Sequence, residues 1–213
     1  AVAPENVAAI SAGCPELIVI GLDMTQFGEL LARADVVAIG PGLGRSAWAW
    51  EVLGVTVASG KPLVVDADAL NILAEDPTLR AANWVLTPHP GEAARLLAAD
   101  TASVQGDRLG ALARLCDQYG GAIVLKGAGT LVGRRGDTPQ VCDRGNPGMA
   151  SAGMGDVLTG VIAGILAQIG DPLVAARVGV LVHALAGDTA ARGGERGLMA
   201  RDVIGELRTW VNI

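Results

Sequence analysis

Short apolar runs alternate along this chain with longer segments in which apolar residues recur every three or four positions. The runs Leu17–Gly21, Asp35–Gly40, Pro62–Asp66, Trp84–Thr87 and Ala122–Lys126 are rich in β-branched residues and stop at Gly, Asp, Thr or Lys, which predicts strands. The amphipathic segments Gln26–Arg33, Ala47–Ser59, Ala69–Glu75, Gly91–Ala98 and Gln105–Tyr119 predict helices between them. Such alternation implies an α/β fold with a mostly parallel sheet and helices on both faces. Thr130–Gly133 and Gln140–Cys142, joined by a polar Gly/Pro-containing turn, predict a hairpin. Three helices, Asp156–Ile169, Pro172–Ala191 and Arg201–Val211, are expected to close the chain. No linker, repeat or low-complexity tract interrupts it, so residues 1–213 are expected to form one domain.

Composition narrows the picture. The chain is 51% hydrophobic, yet only six of its 213 residues are aromatic, so its core must be built from Ala, Val, Leu and Ile. The net charge of −6 and the absence of a basic cluster argue against a nucleic-acid partner. Cys14, Cys116 and Cys142 are widely spaced and form no CxxC pair, which favours a reducing compartment over a zinc site or disulfide framework. Nothing at the N-terminus resembles a signal peptide. The longest apolar stretches are interrupted by Asp156, Gln168, Asp171, Arg177 and His183, so no membrane-spanning run is expected. A cytoplasmic protein is the expectation.

The candidate chemistry sits where strands end or helices begin. Gly40-Pro-Gly-Leu-Gly44, Asp66-Ala-Asp68, Thr87-Pro-His-Pro-Gly-Glu92, Lys126-Gly-Ala-Gly-Thr130 and Gly145-Asn-Pro-Gly-Met-Ala-Ser-Ala-Gly-Met-Gly-Asp156 all do so. Ligands of open α/β sheets bind outside the carboxyl ends of the strands, so five segments point at one crevice. The last is the most informative: small residues lead straight into an apolar helix and end in one acid. A helix start attracts phosphate oxygens, and Asp156 beside it is placed to take a proton from an attacking hydroxyl. Taken alone, Asp156 reads equally well as a first-turn helix acid.

The others have bland alternatives too. Gly40–Gly44 is a phosphate loop or a tight strand-to-helix turn; it is not GxGxxG. Asp66 and Asp68 suit a water-mediated Mg²⁺ contact; alternatively Asp68 caps the helix that follows and Asp66 bonds to backbone. His89 is held between prolines at a strand end, which raises its candidacy for ligand contact. Glu92 is a first-turn acid or a group that orders metal-bound water. Lys126 and the glycines after it can line a nucleotide, or form a hairpin turn with a surface lysine. His183, in an Ala/Leu/Val helix, is expected to be a packed, hydrogen-bonded core residue, and the tryptophans are expected to pack.

Taken in order, IGPGLG, VVDADALN, LTPHPGEAARLL, VLKGAGTLV and GNPGMASAGMGDVLTGVIAG resemble the ADP-dependent NAD(P)H-hydrate dehydratases of the ribokinase-like superfamily, over essentially the whole chain. The resemblance implies a three-layer α/β/α domain. It implies that the C6 hydroxyl of the S-form of NAD(P)H-hydrate is phosphorylated by ADP with Mg²⁺, and that phosphate is then eliminated to restore NAD(P)H. Asp156 is implied as the base. Gly153, Met154 and Gly155 are implied as the anion site. Lys126, Gly127, Ala128, Gly129, Thr130 and Gly155 are implied as the nucleotide site. Gly42, Gly44, His89 and Asp156 are implied as contacts of the hydrated dinucleotide. Glu92 is implied to organise Mg²⁺ indirectly, and Asn146 to order the loop before Gly155. A homotetramer and a fused or partner epimerase also follow from the resemblance.

Two departures stand out. Family domains begin with a strand, a Gly-rich loop and a helix ahead of the part resembling Ala1–Leu22, so the chain reads as a truncated domain. Ala200 stands where relatives carry Ser or Thr, which predicts a weaker cap on the last helix. Two rivals stay open: a vitamin or sugar kinase of the same superfamily, and a non-catalytic nucleotide-binding module.

Overall fold

Residues 1–76 and 78–212 are described in this computed structural model, and they form two units, Ala1–Ala34 and Asp35–Ile213. In the first, a 3-10 turn leads into α1 (Val7–Gly13), and α2 (Met24–Arg33) follows an irregular stretch. The Asp23 carboxylate accepts from the Thr25 amide at 2.9 Å and so caps α2. The expected strand Leu17–Gly21 does not form. Only Gly21 makes a bridge, with Val2, and Ile18 is 92% exposed. Four apolar residues in a row match a buried strand, but without a ladder on either side they remain irregular backbone.

The second unit carries the sheet. Its elements are β1 (Val37–Ile39), α3 (Ala47–Ala58), β2 (Leu63–Val65), α4 (Ala67–Glu75), β3 (Trp84–Leu86), α5 (Pro90–Leu96), α6 (Thr101–Gly106), α7 (Arg108–Tyr119), β4 (Ala122–Leu125), β5 (Thr130–Arg134), β6 (Gln140–Cys142), α8 (Met154–Ile169), α9 (Pro172–Ala190) and α10 (Ala200–Trp210). The strands lie side by side in sequence order, parallel through β4 and antiparallel across β5 and β6. This is the expected α/β sheet with its closing hairpin. The expected helix Gln105–Tyr119 is instead two helices. Asp107 ends α6 and then caps α7, its carboxylate accepting from the Gly110 amide at 2.8 Å.

Strand alternation builds the core. Val64, Val85, Ala122 and Val124 cluster with Leu158, Ile162, Leu166, Leu173, Ala176 and Val180 of α8 and α9. Ile123 pairs with Gly133 of β5 on the opposite face, and there Leu112 and Cys116 of α7 stand against Gly133. Trp84 is fully buried, and its indole N–H donates to the carbonyls of Tyr119 and Gly120. The expected weak cap of α10 is supplied from within the helix, by the Asp202 carboxylate accepting from the Met199 amide at 2.8 Å. One membrane expectation needs correction. The stretch Pro172–Gly193 is long and apolar enough to cross a membrane by length and composition. Its inward residues, Leu173, Ala175, Ala176, Val180 and Ala186 among them, are buried, as in the core helix of a folded domain.

Candidate functional site

Parallel strands put all their carboxyl ends on one edge. Gly40, Asp66, Thr87 and Lys126 each follow the last residue of β1, β2, β3 and β4. Hydrogen bonds beyond the strands keep these ends in register: Asp66 donates to Ile39, Thr87 to Val65 and Lys126 to Pro88, at 2.9–3.1 Å. Gly40 must be glycine, because its φ is +129° and a Cβ there would strike the Asp66 carbonyl. β5 begins and β6 ends at the same edge, so the 126–130 and 143–150 loops face each other across a cleft of about 870 Å³.

A charge network forms the floor of that cleft. Asp66 is 1% exposed. The Lys126 ammonium donates to its Oδ1 at 2.7 Å, and the Thr159 hydroxyl donates to its Oδ2 at 2.8 Å. Glu92 lies 3.8 Å from the same ammonium. Burial pushes the Glu92 carboxyl above its usual value, against the pull of Lys126. Asp66 stands at the N-cap of α4, but its carboxylate is spent on Lys126 and Thr159 rather than on backbone. Asp68 turns elsewhere and accepts from the Gly44 amide at 2.8 Å, which ties the Gly40–Gly44 loop to α4.

His89 caps α5 rather than merely extending from a turn. Its Nδ1 accepts from the amides of Gly91 and Glu92, while Glu92 Oε2 accepts from the His89 amide at 2.7 Å. This reciprocal cap leaves the proton of the neutral ring on Nε2, which lies 3.5 Å from Glu92 Oε1. Burial, with help from the Lys126 charge, holds this imidazole below its ordinary pKa.

Helix α8 starts at Met154, two residues earlier than expected, after Gly153 at φ +83°. Asp156 thus sits in the first turn. Its carboxylate is exposed in the cleft wall and makes no hydrogen bond or ion pair among the described residues. A Cβ on Gly155 would lie 3.3 Å from the Lys126 ammonium and 3.6 Å from Asp66. The α8 start therefore lies against the Lys126 ammonium, and both a helix start and a lysine favour phosphate oxygens. Asn146 orders the loop ahead of them: it accepts from Gly148 and donates to the Gly187 carbonyl and Asp188, each at 3.0–3.1 Å.

Of the residues singled out from sequence, His89, Glu92, Lys126, Gly127, Ala128, Gly129, Thr130, Met154, Gly155 and Asp156 line this cleft. Gly153 stands at its edge as the α8 N-cap, and Gly42 and Gly44 sit on the loop after β1, outside its lining. Three contributors escaped the sequence. Thr159 was read only as part of an apolar helix. Arg108 donates to the carbonyls of Leu125, Lys126 and Gly129 at 3.1–3.4 Å and so clamps the 126–130 loop from behind. Ala67, at the cleft, holds a left-handed φ of +49°, a strained conformation for a residue with a Cβ. A fourth residue, His183, was expected in the core as a hydrogen-bonded group. It is buried, but it lines the cleft, and its Nε2 has no hydrogen-bond partner among the described residues.

No cluster of three His, Cys, Asp or Glu residues able to cage a metal occurs among the described residues. Asp66 and Glu92 already share Lys126. Such a donor set fits Mg²⁺ carried on phosphate oxygens and reached through water, and does not fit a protein-caged ion.

A family model described as NAD(P)H-hydrate dehydratase matches residues 1–208, which include every residue of the crevice described above. The chain belongs to the NAD(P)H-hydrate dehydratase family. It is 48% identical over 213 residues to the bifunctional NAD(P)H-hydrate repair enzyme Nnr of Coxiella burnetii, spanning 98% of this chain and 43% of that protein. It is 40% identical over 206 residues to the ADP-dependent (S)-NAD(P)H-hydrate dehydratase of Neisseria meningitidis, spanning 92% of this chain and 68% of that one. A ribokinase-like superfamily protein of Enterococcus faecalis shares the fold, with TM-score 0.84 at 31% identity over 98% of this chain and 74% of its own. The chain thus spans about two fifths of the length of the bifunctional relatives that it matches.

Proposed function

We propose that this member of the dehydratase family restores NAD(P)H from the S-form of its hydrate at the expense of ADP. The observation that carries the reading is the unpartnered Asp156 carboxylate in the first turn of α8, which starts beside a lysine locked among acids. In this reading Asp156 takes the proton from the C6 hydroxyl of the hydrate. The hydroxyl oxygen then bonds to the terminal phosphorus of ADP, and the P–O bond to AMP breaks. Hydroxide leaves carbon poorly and phosphate leaves it well. The C6–O bond of the ester breaks with loss of a proton from C5, and the ring double bond returns. The amides of Gly153, Met154 and Gly155 steady the transferring phosphoryl group. Lys126 and the Gly127–Thr130 loop receive the nucleotide. Gly42, Gly44 and His89 contact the hydrated dinucleotide.

Mg²⁺ neutralises phosphate charge when bound, and in this reading Glu92 reaches it through water. Residues 1–213 then belong to one ribokinase-like domain. It works in the cytoplasm as part of a homo-oligomer, a tetramer on the resemblance, alongside an epimerase activity. The bifunctional names of its relatives and its unpaired thiols support those choices.

The test is product identity. Hydrated NADH, ADP and Mg²⁺ are incubated with the protein, and NADH absorbance, AMP and free phosphate are followed. The reading expects all three to rise together. A lasting phosphate ester with no NADH would make the protein a small-molecule kinase of the superfamily instead.

A further inference from the structure

We infer that Asp68 is a positioning residue for the hydrated dinucleotide: from α4 it holds the Gly42–Gly44 loop in the form that meets this substrate. The inference rests on the reading above, in which Gly42, Gly44 and His89 contact the hydrate, and adds the group that sets the loop in place. Asp68, Asn71 and Glu75 recur at helical spacing and form one polar stripe of α4. Each holds a neighbour. Asp68 Oδ2 accepts from the Gly44 amide at 2.8 Å. Glu75 pairs with Arg45, the residue after Gly44. Asn71 Oδ1 accepts from Arg95 of α5 at 2.6 Å, and α5 is the helix that His89 caps. The stripe therefore ties the loop after β1 and the helix behind His89 to one face of α4.

Of the three tethers, Asp68 is the one that can fix the loop. Gly42 and Gly44 hold left-handed φ of +67° and +73°, and a glycine loop is costly to order. A Cβ at either would meet nothing within 4 Å, so packing does not demand these glycines, and the space beside them is open to a ligand. The Arg45–Glu75 pair is largely exposed, at 57% and 46%, and such pairs hold weakly. The Asp68 bond is different: a half-buried carboxylate accepts from backbone, a charge-assisted contact that places Gly44 itself. Asp68 is also separate from the nucleotide side. Asp66 turns to Lys126 and Asp68 to Gly44, and the left-handed Ala67 between them, at φ +49°, divides the two directions. Neighbouring carboxylates thus serve different substrates, and their effects can be measured apart.

The experiment follows steady-state recovery of NADH by the wild type, Asp68→Ala and Asp68→Asn, varying hydrated NADH and ADP in turn. Asp68→Ala removes the acceptor. It is expected to raise KM for hydrated NADH by about tenfold and to leave KM for ADP and kcat within about twofold of wild type. Asp68→Asn loses the charge but keeps an oxygen that can accept from the Gly44 amide, so its KM for hydrated NADH is expected to stay within about threefold. The wild type gives a check that needs no variant. Its Gly44 amide should be protected from hydrogen exchange, and the resonance should move on adding hydrated NADH and stay put with ADP. An equal rise in both KM values, an unchanged KM for hydrated NADH in Asp68→Ala, Asp68→Asn as impaired as Asp68→Ala, or an unprotected Gly44 amide overturns the inference alone. A wild type that restores no NADH overturns the dehydratase reading, and the inference with it.

Discussion

Lys126 and His183 face the same cleft, and their partners could hardly differ more. The lysine is held by Asp66 at 2.7 Å, with Glu92 at 3.8 Å behind it, and Asp66 is held in turn by Thr159. The imidazole has nothing on its Nε2, and the exposed carboxylate of Asp156 is likewise unpaired among the described residues. A saturated network fixes geometry, because removing one member strands another in low dielectric. An exposed unsaturated group is capacity that a ligand can use. The cleft therefore has a floor that holds its shape, a buried imidazole beneath its wall, and one exposed acid free to meet a substrate.

Attacking the waiting acid should produce the largest effect. Asp156→Asn is expected to lower turnover by about 10²–10⁴-fold, the usual contribution of a positioned base. Steady-state release of AMP measures it, and a loss below tenfold would remove Asp156 from the chemistry.

Attacking the floor should damage folding. Lys126→Met leaves the buried Asp66 charge without its cation and is expected to cost roughly 3–5 kcal/mol in urea unfolding. Pairing it with Asp66→Asn should recover about half of that loss, as a shared network requires. Additive losses would mean that the two residues are not coupled.

The pH dependence separates the groups by sign. The unfolded His183 ring takes up a proton near pH 6.5, and the folded ring resists it down to about 4. Unfolding therefore binds the extra proton, so stability falls as pH drops through that window, by on the order of 3 kcal/mol. His89, also held low, adds to the slope, and Glu92, held high, opposes it. The difference between wild type and His183→Gln isolates the one group, and parallel curves would refute its burial as a neutral base.

The smallest expected effect is at the clamp. Arg108→Lys cannot reach the Leu125, Lys126 and Gly129 carbonyls together, so ADP binding should weaken by roughly fivefold, about 1 kcal/mol, with turnover at saturation unchanged. Reduced stability with unchanged ADP affinity would confine Arg108 to the α6–α7 junction.

How far the sequence revealed this division depends on the type of contact. The strand ends were readable because β-branched runs stop at Gly40, Asp66, Thr87 and Lys126, and parallel connectivity then forces those stops onto one edge. The role of Asn146 in the loop before Gly155 came only with the family resemblance, and its contacts to Gly187 and Asp188, 41 and 42 residues away, have no local signature. Other partners far apart in the chain were unreadable too. Thr159 lies 93 residues from Asp66, and no local pattern links them. Arg108 looked like an ordinary helix-face cation because its acceptors are backbone carbonyls, which any residue supplies. His183 sat in a helix so apolar that its one unsatisfied nitrogen could not be separated from the core around it. Leu17–Gly21 misled in the opposite way: its residues suit a strand, but a strand exists only where a neighbour completes the ladder.

The account rests on Asp156 being a reacting group rather than a part of the floor. The most direct measurement is the affinity of Asp156→Asn for ADP, taken together with its midpoint of urea unfolding. The account predicts both to stay near wild type, with affinity within about twofold, while turnover collapses. Loss of affinity and stability in parallel with turnover would contradict it, and would return Asp156 to the role of a first-turn helix acid.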